Sequence, residues 1–337
     1  MIQDLRSWWE DVGVWAGDAR PNTHNYLLNW VTPMFKNPSS HRVAVLQALF
    51  VTLLWSTSWV LIKIGLEDIP ALTFAGLRYS LAFASLLPFL LHPARRGSLR
   101  SIAPSLPRTA WVNLLLLGLL YYTLTQGTQF IGLAYLPAVT VSLLLNFSPV
   151  IVALLSIGLL SERPTARQWL GVGFSVAGTV LYFFPVALPA GQTLGLFAVI
   201  VGVLANAFST ILGRSINRSE GFSPLAVTTI SMGFGAVLLL SVALLVEGLP
   251  QIGLRSWGII AWLAVVNTAL AFTLWNQTLR TLSAVESSVI NNTMLVQIAV
   301  LAWIFLDEHL TVRELAGLVL AGLGTLIVQL QTRLRPR

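Results

Sequence analysis

The sequence predicts an all-α integral membrane protein whose ten transmembrane helices form two inverted five-helix repeats, and three observations lead there. The first is composition: of 337 residues 55% are hydrophobic and 10% charged, and the mean hydropathy is +0.77, whereas a soluble domain carries roughly a quarter charged residues. The second is an internal repeat. Leu133–Thr179 recurs without a gap at Leu279–Thr325, a shift of 146 residues, with 16 of 47 positions identical. The identities pair Ser142 with Ser288, Asn146 with Asn292, Glu162 with Glu308, Thr165 with Thr311, Arg167 with Arg313, Gly171 with Gly317 and Gly178 with Gly324. Shared apolar letters can follow from composition, but shared polar, charged and glycine positions do not. The third is the distribution of Lys and Arg, which sets orientation in a bilayer.

Taken in order, residues 1–42 form a Trp-rich extension, with Trp8, Trp9, Trp15 and Trp30 among Asp4, Glu10, Asp11 and Asp18. Leu5, Trp8, Trp9, Val12 and Trp15 share one helical face, which suits either a short helix lying at the headgroup level or a tail without fixed structure. Ten apolar segments follow at about 43–64, 71–91, 110–130, 137–160, 167–184, 193–213, 223–246, 256–275, 284–306 and 311–330. Each is near the ~20 residues a helix needs to cross ~30 Å of hydrocarbon. The first five make one repeat (43–184), the second five another (193–330), and a basic tail (331–337) ends the chain.

With the N-terminus inside, sixteen of the 20 Lys and Arg residues fall in internal segments, against Lys63, Arg255 and Arg313 at the outer face, with Arg78 inside helix two. Positive-inside bookkeeping therefore places both termini in the cytoplasm of a cell's inner (plasma) membrane. Five spans per half is odd, so the second copy enters with opposite orientation, and the Glu162 loop faces the cytoplasm while Glu308 faces out. Inverted repeats of this kind characterise secondary transporters, whose equivalent halves exchange inward-open and outward-open states around a midplane site.

Several function classes are excluded or weakened. The net charge of +7 sits in short loops between apolar segments, so it argues topology and not nucleic acid. Zero cysteines remove disulfides, thiolate metal sites and Cys nucleophiles. His24, His41, His92 and His309 lack ligand spacing, and no GxxxxGK phosphate loop occurs. Neither an enzyme nor a cofactor is expected.

The segments LLWSTSWVLIKIGLEDIPALTFAGLRYSLAFASLLPF, SERPTARQWLGVGFSVAG and LDEHLTVRELAGLVLAGLG resemble the EamA-type ten-helix members of the drug/metabolite transporter superfamily, over about Val43 to Leu330. The resemblance implies a basket-like bundle in which helices one to four and six to nine surround a central cavity, with five and ten peripheral. It also implies export of amino acids or other small metabolites, while relatives carry sugars, nucleotide sugars or organic phosphates. Two departures stand out: the Trp-rich extension lies outside the family core, and the stretch LANAFSTILGRSI matches copy one only weakly, with Arg214 where Lys63 would fall.

Polar side chains inside spans are costly and tend to face a bundle interior or wet cavity. Arg78 is the deepest cation, suited to grip a carboxylate or phosphate, or else to snorkel or pair with Glu67 or Asp68. Asn146 and Asn292 occupy equivalent places in helices four and nine, and Asn206, Asn267, Tyr122 and Gln126 extend the polar set. All serve equally as interhelical struts. Trp55 and Trp59, one turn apart on helix one, offer rings for an apolar or planar cargo; Trp257, Trp303, Trp111 and Trp169 fit the interfacial belt. Glu286, at the start of helix nine, is the candidate to carry a coupling proton, against a plain helix-dipole role. Glu162 and Glu308, repeated at helix ends, read as architectural, each bonding the adjoining loop. Gly171, Gly178, Gly317 and Gly324 read as close helix packing within the chain or across a homodimer.

The function expected is a secondary transporter moving a small organic metabolite by alternating access, first of all an amino-acid exporter. The rivals are a sugar or phosphorylated-metabolite carrier, which would want a second deep cation, and a non-transporting scaffold or sensor using the Trp-rich tail.

Overall fold

The computed structural model describes residues 41–91, 108–148, 150–152, 155, 165–184, 190–218, 224–278, 282 and 284–331. The Trp-rich extension, Glu162 and the basic tail lie outside them. The described residues are almost entirely helical, with no strand among them. The helices are α1 (His41–Gly65), α2 (Ala71–Leu91), α3 (Arg108–Leu117), α4 (Gln126–Tyr135), α5 (Ala138–Leu145), α6 (Ala166–Phe183), α7 (Thr193–Arg218), α8 (Pro224–Val246), α9 (Leu254–Ala264), α10 (Ala271–Thr278), α11 (Ala284–Leu306) and α12 (Val312–Gln331).

Among the described residues four helices are by length and composition sufficient to span a bilayer: His41–Gly65, Ala71–Leu91, Thr193–Gly213 and Leu225–Val246. Ten such helices are expected from the apolar pattern, and two of the differences have one cause. Between α3 and α4 the chain winds as a π-helix over Gly118–Thr125, and between α9 and α10 it does so over Val265–Leu270. In both, a threonine hydroxyl bonds the carbonyl five residues earlier: Thr125 Oγ1 to Leu120 O at 2.8 Å and Thr268 Oγ1 to Leu263 O at 2.9 Å. Such widened turns interrupt an α-helix without ending it and recur at functional sites.

Helix ends are set by identifiable devices. Pro70 and Pro137 precede α2 and α5, and carboxylates from elsewhere in the chain take up the orphan amides of those first turns. Glu247 accepts from Leu72 N at 3.1 Å and Thr73 N at 2.8 Å. Glu308 accepts from Ala138 N at 2.7 Å and Val139 N at 3.2 Å. Before α12, Thr311 and Glu314 form a reciprocal capping box, with Thr311 N donating to Glu314 Oε2 at 2.7 Å and Glu314 N to Thr311 Oγ1 at 3.3 Å. Gly248, at φ +74°, turns the chain out of α8 in the left-handed conformation that glycine adopts without strain.

The main apolar core gathers Ile62, Phe74, Phe130, Leu133, Leu136 and Val139 at the end of the bundle where Glu247 and Glu308 bind and where Ser256 Oγ donates to Asp68 at 3.1 Å. Phe74 and Phe130 meet edge to face with centroids 5.2 Å apart. This end is closed.

α6 and α12 cross in close contact through glycines. A Cβ on Gly178 would lie 2.6 Å from Gly317 O, one on Gly317 would lie 2.6 Å from Gly178 O, and one on Gly324 would lie 2.6 Å from Gly171 O. Ser175 Oγ reaches Ala321 O at 3.5 Å and Thr325 Oγ1 at 3.1 Å. Since 171 meets 324 while 178 meets 317, the two helices run antiparallel. The repeated glycines are thus spent inside the chain.

Candidate functional site

Midway along the bundle lies a cavity of about 300 Å³, at the small end of the ~300–1,000 Å³ typical of ligand pockets. α1 contributes Trp55, Ser58 and Trp59; α2 contributes Arg78 and Tyr79; the first π-helix and α4 contribute Tyr121, Gln126 and Gln129. Ser142, Leu145 and Asn146 come from α5 and its end, and Asn206 from α7. The second π-helix and α10 supply Asn267 and Phe272, and α11 supplies Asn291, Asn292, Met294, Leu295 and Ile298.

Arg78 is the charged group in this wall, 6% exposed. Its Nε and Nη2 both donate to Thr268 Oγ1, each at 3.3 Å, and the Thr268 proton is engaged with Leu263 O. The hydroxyl therefore acts purely as an acceptor that fixes the guanidinium. The rings of Tyr79 and Phe130 lie 5.3 and 5.9 Å from Cζ, within cation–π range. Neither Glu67 nor Asp68 pairs with it: among the described residues Arg78 has no carboxylate partner. A buried charge balanced by one hydroxyl and two rings is undercompensated, so the cavity beside it favours negative charge.

The amides divide into struts and open groups. Asn267, fully buried, ties the second π-helix to α1: its Nδ2 donates to Leu54 O, to Thr57 Oγ1 at 3.1 Å and to Ser58 Oγ at 2.9 Å. Asn206 Nδ2 donates to Ser148 Oγ at 3.0 Å. Gln126 accepts from the Tyr79 hydroxyl at 2.6 Å, which leaves its NH2 as the free end of that side chain. Asn146 Nδ2 has no partner, a condition that costs about 1–3 kcal/mol and that a bound acceptor would relieve. Trp55 packs against Phe272 and Trp275 with centroids 5.3 and 5.2 Å apart.

Of the residues expected from sequence, Trp55, Trp59, Arg78, Gln126, Asn146, Asn206, Asn267 and Asn292 come together around this cavity. Tyr122 does not reach it. It is 4% exposed and packs toward α8, where Gly235 leaves room, while Tyr121 occupies the wall. The expectation used α-helical spacing, and the π-helix over 118–125 adds a residue per turn, which carries position 121 and not 122 round to the face of Gln126. Glu286 falls within α11, but its side chain lies outside the described ones. Gln129 and Tyr79 were hidden by ordinary sequence surroundings: three residues from Gln126 and one from Arg78, they show no repeat or spacing of their own. Glu247 was equally silent, an acid at a helix end.

An all-helical membrane protein enclosing a polar and aromatic cavity belongs to the carrier class, and comparison with known proteins narrows this. Residues 42–184 and 193–330 match the EamA-like transporter family, and the chain belongs to that family, within the drug/metabolite transporter superfamily. It is 30% identical over 310 residues to the uncharacterized transporter YvbV of Bacillus subtilis (strain 168), covering 87% of this chain and 93% of that one. It is 28% identical over 264 residues to the uncharacterized transporter YyaM of the same strain, covering 75% and 82%. A protein named S-adenosylmethionine/S-adenosylhomocysteine transporter, from Chlamydia trachomatis serovar L2, is 27% identical over 269 residues, covering 76% of this chain and 79% of its own. A crystal structure with 20% identity superposes with a TM-score of 0.61 over 87% of this chain and 100% of that one, a likeness of fold. The protein is therefore a multi-pass membrane transporter of a small molecule.

Proposed function

We propose that the protein is a secondary transporter of the cytoplasmic membrane that carries a small organic metabolite by alternating access, with the midspan cavity as its substrate site and a carboxylate-bearing compound, the class to which amino acids belong, as cargo. The observation that carries this reading is the cavity itself, small, ringed by amides and aromatics, and holding a guanidinium without a carboxylate partner.

The ten-span inverted repeat is supported by the α6–α12 crossing. Ser175 and Ala321 are equivalents under the 146-residue shift, and they touch each other. Gly178 pairs with Gly317 and Gly171 with Gly324, so each contact has its mirror in the other copy. A two-fold axis perpendicular to two antiparallel helices produces that exchange, and for helices that span a bilayer such an axis lies in the membrane plane. The Glu247–Glu308 end is outermost in the positive-inside topology, and separating its helices would free the amides of α2 and α5.

The test is uptake into proteoliposomes across an amino-acid panel, with and without a proton gradient, by wild type and by Asn146→Ala with Asn292→Ala. Saturable uptake lost in the double variant is expected. Absence of saturable uptake of every amino acid on the panel and of indole-3-acetate beside them would defeat the reading.

A further inference from the structure

Resting on the cavity being the substrate site, the geometry points to a narrower cargo: we propose that the site selects an organic monocarboxylate with a ring or other planar body and no fixed cationic group. The guanidinium supplies the first argument. Of its five N–H donors, Thr268 engages one on Nε and one on Nη2. Three remain, two on Nη1 and one on Nη2, and one from each nitrogen makes the end-on edge that meets both oxygens of a carboxylate. Thr268 is itself fixed by Leu263 O in the π-helix, so the edge is held in one orientation before substrate arrives.

The second argument is charge balance. No Asp or Glu is among the described lining residues, and Arg78 is the cation among them. A monocarboxylate makes the loaded cavity neutral, in a region where net charge is expensive. A zwitterion leaves one positive charge without a counter-ion, and a cationic amine leaves two. Among the lining amides one donor and one acceptor lack partners, Asn146 Nδ2 and Asn267 Oδ1, while the Gln126 carbonyl is taken by Tyr79.

The third argument is the remaining wall. Trp55, Trp59, Tyr121 and Phe272 line the same cavity, and stacked or edge-on rings hold planar bodies. The volume admits a cargo of one or two rings.

The experiment compares three indoles that differ in charge, indole-3-acetate, tryptophan and tryptamine, for equilibrium binding to the full chain in lipid nanodiscs. Indole-3-acetate should bind at least tenfold more tightly than tryptamine and more tightly than tryptophan. Arg78→Gln should weaken indole-3-acetate at least tenfold while reducing its advantage over tryptamine, and Arg78→Lys should fall between. A melting profile confirms that each variant is folded, and the wild-type ranking stands without the variants. Any other ranking, or no binding by all three, overturns the proposal. Tryptophan flux in proteoliposomes alongside such a ranking would overturn the cargo class and leave the transporter reading intact. The expected ranking without flux would do the reverse.

Discussion

A mid-helix arginine costs about 2.5–3.5 kcal/mol on insertion scales, and Arg78 is retained at that cost in a wall where a hydroxyl, not an acid, fixes it. Its neighbours show how residue positions follow from the turn geometry around them. Trp55, Trp59, Asn146 and Asn292 were legible in the sequence because polar or indole groups inside apolar spans have few places to go, and the repeat matched the two asparagines. Tyr121 was not legible, since a π-helix leaves no pattern in the letters and α-helical spacing selects Tyr122 instead. This difference is measurable. Tyr121→Ala should weaken binding of any cavity ligand several-fold, while Tyr122→Phe should leave affinity unchanged, both read by equilibrium binding. Equal effects of the two would mean that the π-helix is not present in the substrate-binding form.

At the scale of elements, the α6–α12 crossing depends on backbone-to-backbone approach. Leucine at Gly178 or Gly317 would drive a side chain into backbone atoms 2.6 Å from its first carbon. Overpacking of this kind costs about 1–3 kcal/mol or more, so either variant should lower the melting temperature by several degrees, as a thermal unfolding profile in detergent would show. Gly173, with nothing within 4 Å of its Cβ position, is the control that should tolerate alanine. The capping box of α12 gives a smaller effect: Thr311→Ala should cost about 0.5–2 kcal/mol. Glu308 acts differently, because its cap joins two parts of the chain 170 residues apart. Glu308→Ala should free the first turn of α5 and raise hydrogen exchange at Ala138 and Val139. Unchanged exchange at those amides would show that the cap does not hold this end. The architectural role expected for Glu308 could be read from its repetition alone, whereas its target at Ala138 could not, since the partners lie far apart in sequence.

For the whole molecule, composition and the repeat are sufficient to reach a helical membrane bundle in two related halves, because lipid admits few other structures. The central cavity was expected from the inverted repeat and the family resemblance, whereas the pairing of Glu247 and Glu308 with the first turns of distant helices was not legible, since it depends on how the halves dock. A chain without cysteine makes orientation simple to test. Single cysteines introduced at Arg313 and at Arg218 should react with a membrane-impermeant maleimide from opposite sides of the membrane, outside and inside respectively. Labelling of both from one side would contradict the positive-inside topology and the inversion built on it.

The most direct test of transport by alternating access through this cavity is counterflow. Proteoliposomes loaded with a high concentration of unlabelled indole-3-acetate or tryptophan are diluted into trace labelled compound, with wild type beside Asn146→Ala with Asn292→Ala. The account predicts transient accumulation of label above equilibrium in the wild type, abolished in the double variant. Label that equilibrates without overshoot, or enters equally through wild type and variant, would contradict it.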